Sequence, residues 1–117
     1  MTGTDTIWTM DRFTELNERL RRFNSERDWD QFHTPANIAK SIVIEAGELL
    51  ECFQWDDDNY DRSAVLEELA DVANYCLQMA HSLDVDLIDA VNAKIDKNEK
   101  KYPVEKAKGR YTKYDRL

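Results

Sequence analysis

The sequence predicts an all-α protein, a four-helix bundle assembled as an oligomer. Three observations carry this. Only three Gly and two Pro occur in 117 residues, which leaves little punctuation for strands and hairpins. Apolar residues recur at helical spacing in four segments. Each segment is preceded by a residue able to cap a helix. The length fits one domain, residues 1–117, with 1–8 and 104–117 irregular. Its core is modest, and wide apolar arcs on short helices would bury more by association between copies.

The first helix is expected from Thr9 to Phe23, with Phe13, Leu16, Leu20 and Phe23 on one face. The loop Asn24 to Thr34 carries Arg27, Trp29, Phe32 and His33. Aromatic residues in a loop can stack on a nucleobase, or they can plug the end of a bundle. For Trp29 both readings stand, His33 either serves a nucleotide or hydrogen-bonds to the backbone, and Phe32 reads as a plug. Thr34 and Pro35 open the second helix, Thr as cap and Pro where its missing N–H costs nothing. That helix is expected to reach Gln54, with Trp55 at its end on the acidic side. Gly47 lies inside it at a cost of about 1 kcal/mol relative to Ala, and reads as permitting close helix packing. The acidic stretch 56–61 reads as a solvated loop. Asp61 or Ser63 caps a third helix extending to Leu83. Asp84 or Asp86 caps a fourth, with Leu87, Ile88, Val91 and Ile95 inward and Lys94, Asn98 and Lys101 on a neighbouring stripe. Pro103 ends it.

Residues three apart share one side of a helix, so Glu45 projects with Glu48 and Glu68 with Asp71. At ~100° per residue, Ile38, Ala39, Ile42, Val43, Ala46, Leu49, Leu50 and Phe53 share an apolar arc with the first pair at its edge. Val65, Leu66, Leu69, Val72, Ala73, Cys76, Met79, Ala80 and Leu83 form another arc with the second pair at its edge and Tyr75 beside it. Packing arc on arc brings the acids to one rim. Two carboxylates 5 to 6 Å apart repel by roughly 3 kcal/mol at an effective dielectric of 20. Protonation, splaying into water or divalent cations would each relieve this. An all-oxygen donor set suits Mg²⁺, or Mn²⁺ in its place, rather than Zn²⁺. Metal-assisted phosphate chemistry is one reading, and a solvated acidic helix edge is the other.

The net charge of −8 argues against long nucleic acids as partners. From Lys97 onward the chain is net +5, which leaves −13 on the rest. This basic tail either reaches a phosphate at the acidic rim or only aids solubility. No run is apolar enough for a membrane span and no signal-peptide pattern opens the chain. Cys52 and Cys76 read as reduced thiols within helices, which points to the cytoplasm. His33 and His81 lack the Glu three residues upstream that a di-iron bundle needs. There is no phosphate-binding glycine loop and no recognisable nucleophile setting.

At Glu45-Ala-Gly-Glu48-Leu-Leu-Glu51-Cys-Phe-Gln-Trp55, followed by Glu67-Glu68-Leu-Ala-Asp71, the chain resembles the MazG-like all-α nucleoside triphosphate pyrophosphohydrolases, and within them the dCTP pyrophosphatase branch. Residues 26–33, Val85-Asp86-Leu87 and residues 94–103 add to the resemblance, which runs from Phe13 to Tyr114. It implies hydrolysis of a (deoxy)nucleoside triphosphate, dCTP or a related pyrimidine nucleotide, to the monophosphate and pyrophosphate. It implies Glu45, Glu48, Glu68 and Asp71 as Mg²⁺ ligands. Glu48 or Glu51 would position the attacking water or take its proton. Trp29, Trp55 and Tyr75 match positions around base and sugar. Lys94, Asn98 and Tyr102 match positions reaching phosphate or sugar, and His33 a further substrate position. A homodimer or homotetramer is implied. Leu20 stands where vertebrate relatives carry His, and Asp56 where they carry Lys, and both differences bear on base selectivity. Two other functions fit the same bundle: a non-catalytic nucleotide-binding or regulatory module, and a purely structural oligomer with solvated acids.

Overall fold

The computed structural model describes residues 11–117 and is helical throughout, with no strand among the described residues. The helices are α1 (Arg12–Glu26), α2 (Pro35–Glu51), α3 (Arg62–Ser82), α4 (Leu87–Lys101) and the short α5 (Val104–Ala107). One unit ends at Leu83 and a second spans Asp84–Leu117. The sequence predicts a single four-helix domain; three of those helices lie in the first unit and α4 in the second. Thr9 and residues 1–8, expected respectively to cap α1 and to be irregular, lie outside the described residues.

In the first unit, the Asp11 carboxylate caps α1 by accepting from Thr14 N at 2.8 Å. The helix runs a turn past Phe23, so Asn24 is helical rather than part of the loop. It ends where Asp28 adopts φ +56, a left-handed conformation that Asp tolerates better than most residues. Trp29 N then donates to Asn24 O at 3.0 Å. Residues Asp30–Phe32 form one 3-10 turn. Thr34 Oγ1 accepts from Asn37 N at 3.2 Å, and Pro35 occupies the first turn of α2, as the sequence predicts.

Helix α2 stops at Glu51, short of Gln54. Cys52 N and Phe53 N donate to carbonyls only three residues back, so the last turn tightens and unwinds. The acidic connection is more than a solvated loop. Asp56 Oδ1 accepts from Asp58 N at 2.9 Å and Asn59 N at 3.1 Å, and the Phe53 and Tyr60 rings meet at 4.8 Å. Asp61, not Ser63, caps α3, accepting from Ser63 N at 3.0 Å and Ala64 N at 3.4 Å.

Helices α2 and α3 form the main packed pair. Ile38 is 1% exposed, and Leu20, Leu77 and Ala80 are also buried. Asn17 on α1 bonds α3: His81 Nε2–H donates to its Oδ1 at 2.5 Å. Burial, and secondarily the Arg21 charge, push the His81 imidazole below its usual pKa, which favours this neutral donor. The predicted arcs are only half covered. Val43 and Leu50 are 71% and 70% exposed, and Leu66 and Leu69 are exposed as well. A Cβ built on Gly47 meets nothing within 4 Å, so this glycine serves no close packing within the chain.

In the second unit, Asp86 rather than Asp84 caps α4, accepting from Ile88 N at 2.8 Å. Asp84 takes φ +54 in the preceding turn instead. Ile88, Val91 and Ile95, expected to face inward, are exposed. Tyr102 closes α4, its N–H donating to Asn98 O at 2.8 Å. The segment after Pro103 is not wholly irregular: it holds α5 and a 3-10 turn at Tyr114–Arg116. Lys101 Nζ sits 4.8 Å from the Tyr114 ring centre. No helix among the described residues is long and apolar enough to cross a membrane.

The α3 cap supplies the first test. Asp61→Ala leaves the N–H groups of Ser63 and Ala64 without their side-chain acceptor. It is expected to lower unfolding free energy by about 1 kcal/mol in urea denaturation; an unchanged midpoint would show that the cap contributes nothing.

A carboxylate cluster beside an aromatic pocket

Thr34 and Asp61 fix where α2 and α3 begin, and so fix which residues face each other along the pair. Glu45 and Glu48 come from successive turns of α2, and Glu68 from the second turn of α3. One carboxylate oxygen from each lies within 4.8 Å of the others. Three of the four acids expected to converge do so. Asp71 is outside this triad, though its charge is close enough to raise the pKa of both Glu45 and Glu68. Glu51 is exposed on the last turn of α2 and is not part of the triad.

The triad is electrostatically unsatisfied. Oε2 of Glu45 and Oε2 of Glu68 are each shut off from water and lack any hydrogen-bond partner. Both carboxyls are raised above the ordinary 4.5, first by desolvation, next by Glu48 through its hydrogen bond and charge, then by Asp71. An orphaned, desolvated oxygen on each of two facing acids, with a third between them, is a hard-oxygen donor set that fits a divalent cation such as Mg²⁺.

Next to the triad along α3 opens a cavity of about 430 Å³, between α1, α3 and the loop after α1. Trp29, His33 and Tyr75 line it, as does Asp71. Trp29 is braced by the Phe23 ring, edge-on at 5.6 Å, and Phe23 is in turn covered by the Arg27 guanidinium at 3.7 Å. The polar side chains Asn24 and Gln78 and the apolar Leu20 complete the wall. Sequence reasoning missed Asn24 and Gln78, since an amide on a helix reads as solvated. The available signal was the spacing Asp71, Tyr75, Gln78, one stripe of α3.

Other expected substrate residues are not gathered here. Trp55 lies on the turn after α2, is 89% exposed and does not line the cavity, because α2 ends before Gln54. Lys94, Asn98 and Tyr102 belong to the second unit, on α4 and its C-terminal cap.

The raised carboxyls set a pH dependence. A pKa raised on folding stabilises the protonated state, so the contribution is present below the unfolded value and is lost as pH rises through the folded one. Metal-free protein is therefore expected to lose stability from this cluster as pH climbs above 4.5. A divalent cation acts in the opposite sense, since it takes the deprotonated acids. The rise in Tm on adding Mg²⁺ should be larger at about pH 7.5 than at about pH 5; equal increments would place the cation elsewhere.

The MazG-like family profile matches residues 40–117, which include the triad and all of α3. The chain is 42% identical to dCTP pyrophosphatase 1 of Mus musculus over 86% of its own length and 66% of that protein's. It is 41% identical to dCTP pyrophosphatase 1 of Homo sapiens over the same shares. It thus spans about two thirds of the length of these curated relatives. A crystal structure of a pyrophosphatase from Archaeoglobus fulgidus superimposes with a TM-score of 0.73 at 39% identity, covering 81% of this chain and 95% of that one. The chain belongs to the MazG-like family.

Proposed function

We propose that this protein is a nucleoside triphosphate pyrophosphohydrolase. Its substrate is dCTP or a closely related pyrimidine deoxynucleotide, hydrolysed to the monophosphate and pyrophosphate in the cell's nucleotide pool. The observation that carries this reading is the triad Glu45, Glu48 and Glu68, with a desolvated oxygen on Glu45 and on Glu68, opening beside an aromatic cavity large enough for a base. The relatives' names, dCTP pyrophosphatase 1 and pyrophosphatase, agree with it.

Glu45, Glu48, Glu68 and Asp71 hold Mg²⁺, and Mn²⁺ substitutes. When bound, the cation neutralises phosphate charge and acidifies water. The chain does the rest. Trp29 offers a braced ring face to the base, and Tyr75 and His33 flank it. Glu48, exposed at the rim of the triad, or Glu51, one turn further along α2, takes the proton of the water that attacks the α-phosphorus. Lys94, Asn98 and Tyr102, on α4 and its C-terminal cap, are the proposed contacts for phosphate or sugar. The exposed stripe of Val43, Ile44 and Leu50 on α2 supports assembly as a homodimer or homotetramer, since an apolar helix face of this size is otherwise left in water.

Pyrophosphate, not orthophosphate, is expected from a panel of dNTPs and NTPs with Mg²⁺. Glu48→Gln and Asp71→Asn should reduce turnover by about 100-fold or more while the helical circular dichroism is retained. Full turnover in both variants refutes the assigned roles. Val43→Lys is expected to shift the protein to monomer in analytical ultracentrifugation, and an unchanged mass would move the interface elsewhere.

A further inference from the structure

Gln78 is the buried group with the least to do. It is 8% exposed, it lines the aromatic cavity, and its Oε1 is shut off from water without any hydrogen-bond partner. A buried amide oxygen left unpaired costs free energy that folding does not recover, so such a group is normally satisfied by a ligand or a bound water. No neighbour donates to it: Leu20 is apolar, His81 is committed to Asn17, and the buried amide of Asn24, which lines both cavities with it, makes no bond to it.

Position says what the ligand group is. Asp71, Tyr75 and Gln78 form one stripe of α3, and seven residues separate the acid from the amide, about 10 Å along the axis. The metal-bearing end of the stripe takes phosphate, and a nucleoside laid along α3 from there carries its base edge toward Gln78. The aromatic side chains meet the faces of the ring, which are alike in all bases, so they hold it without identifying it. Hydrogen bonds to the edge identify it. What Gln78 Oε1 lacks is a donor, and the 4-amino group of cytosine is one, with a ring acceptor beside it that suits the amide NH₂. We propose that Gln78 is the specificity-determining residue of this site, its Oε1 accepting a hydrogen bond from the cytosine 4-amino group. This rests on the nucleotide reading above and adds to it the atom that distinguishes the base.

The test removes one partner at a time. Pyrophosphate release with Mg²⁺ is measured on dCTP and on the pyrimidin-2-one deoxynucleoside triphosphate, which lacks only the 4-amino group. Wild type is expected to lose at least about tenfold in kcat/KM on the analogue, the usual consequence of stranding one buried acceptor. In Gln78→Leu the ratio of the two substrates should fall to near one. Gln78→Met, closer in length and volume, repeats the measurement if the leucine variant does not fold. A merely structural role lowers both substrates alike and preserves the wild-type ratio, which overturns the proposal. A wild-type ratio near one also overturns it, while leaving pyrophosphate release standing. If wild type releases no pyrophosphate, the Kd ratio of the same two nucleotides is measured by calorimetry. Discrimination that Gln78→Leu abolishes would keep Gln78 and reject hydrolysis, and its absence would reject both.

Discussion

Carboxylates from two helices held against each other, each with an oxygen cut off from water, impose the condition on which this structure depends. Left alone they repel, and the repulsion is stronger where water is excluded. Glu45 and Glu68 answer by holding their protons more tightly than usual. The helices cannot relax the contact cheaply. Thr34 and Asp61 fix the starts of α2 and α3, and Ile38, Leu77 and Ala80 lock them laterally. The fold thus holds together an unfavourable arrangement whose hard-oxygen donors are compatible with a divalent cation.

The same helix carries both ends of the cavity chemistry. One face of α3 runs from Glu68 and Asp71 through Tyr75 to Gln78, so acid, aromatic and amide are spaced by helical geometry rather than by loops. Helix α1 is what makes this face a cavity instead of a surface. It is tied to α3 by Asn17 and His81 and sends Leu20 and Asn24 across from Gln78. The loop after α1 adds Trp29, and the left-handed Asp28 turns the chain so that the indole comes back against Phe23. Few residues in this loop are free to move without disturbing the aromatic wall.

How much of this the sequence discloses depends on how far each feature is from local. The helix starts at Thr34 and Asp61 are local chemistry, and a cap residue before an apolar period states them. That Glu45 and Glu48 project together follows from spacing, because residues three apart share a face, and Glu68 joins them once the apolar arcs of α2 and α3 are packed together. Asp71 is spaced as well as Glu68 is, yet it lies outside the triad and lines the cavity instead, a choice that periodicity along one helix does not record. Trp55 illustrates a boundary difference: the helix expected to reach Gln54 ends at Glu51, so Trp55 lies beyond its tightened last turn and is exposed. Gln78 illustrates burial by a distant segment. Nothing within α3 marks an amide as buried, and only the passage of α1 makes it so.

The exposed apolar surface is the counterpart of that limited core. At ~100° per residue, the covered side of α2, marked by Ile38, Ile42 and Leu49, is about 120° from Val43, Gly47 and Leu50, and the acids lie on the remaining flank. The helix therefore has three distinct faces: one packed within the chain, one open and apolar, and one acidic. Gly47 sits in the middle of the open face with empty space where a side chain would be. Its backbone entropy cost brings no return inside the chain. A face that is apolar at its ends and bare at its centre is shaped for the close approach of another helix. The face turned to α3 and the acidic flank are thus spoken for by the chain's own packing and charge, and the apolar face is the one whose burial the chain does not itself provide.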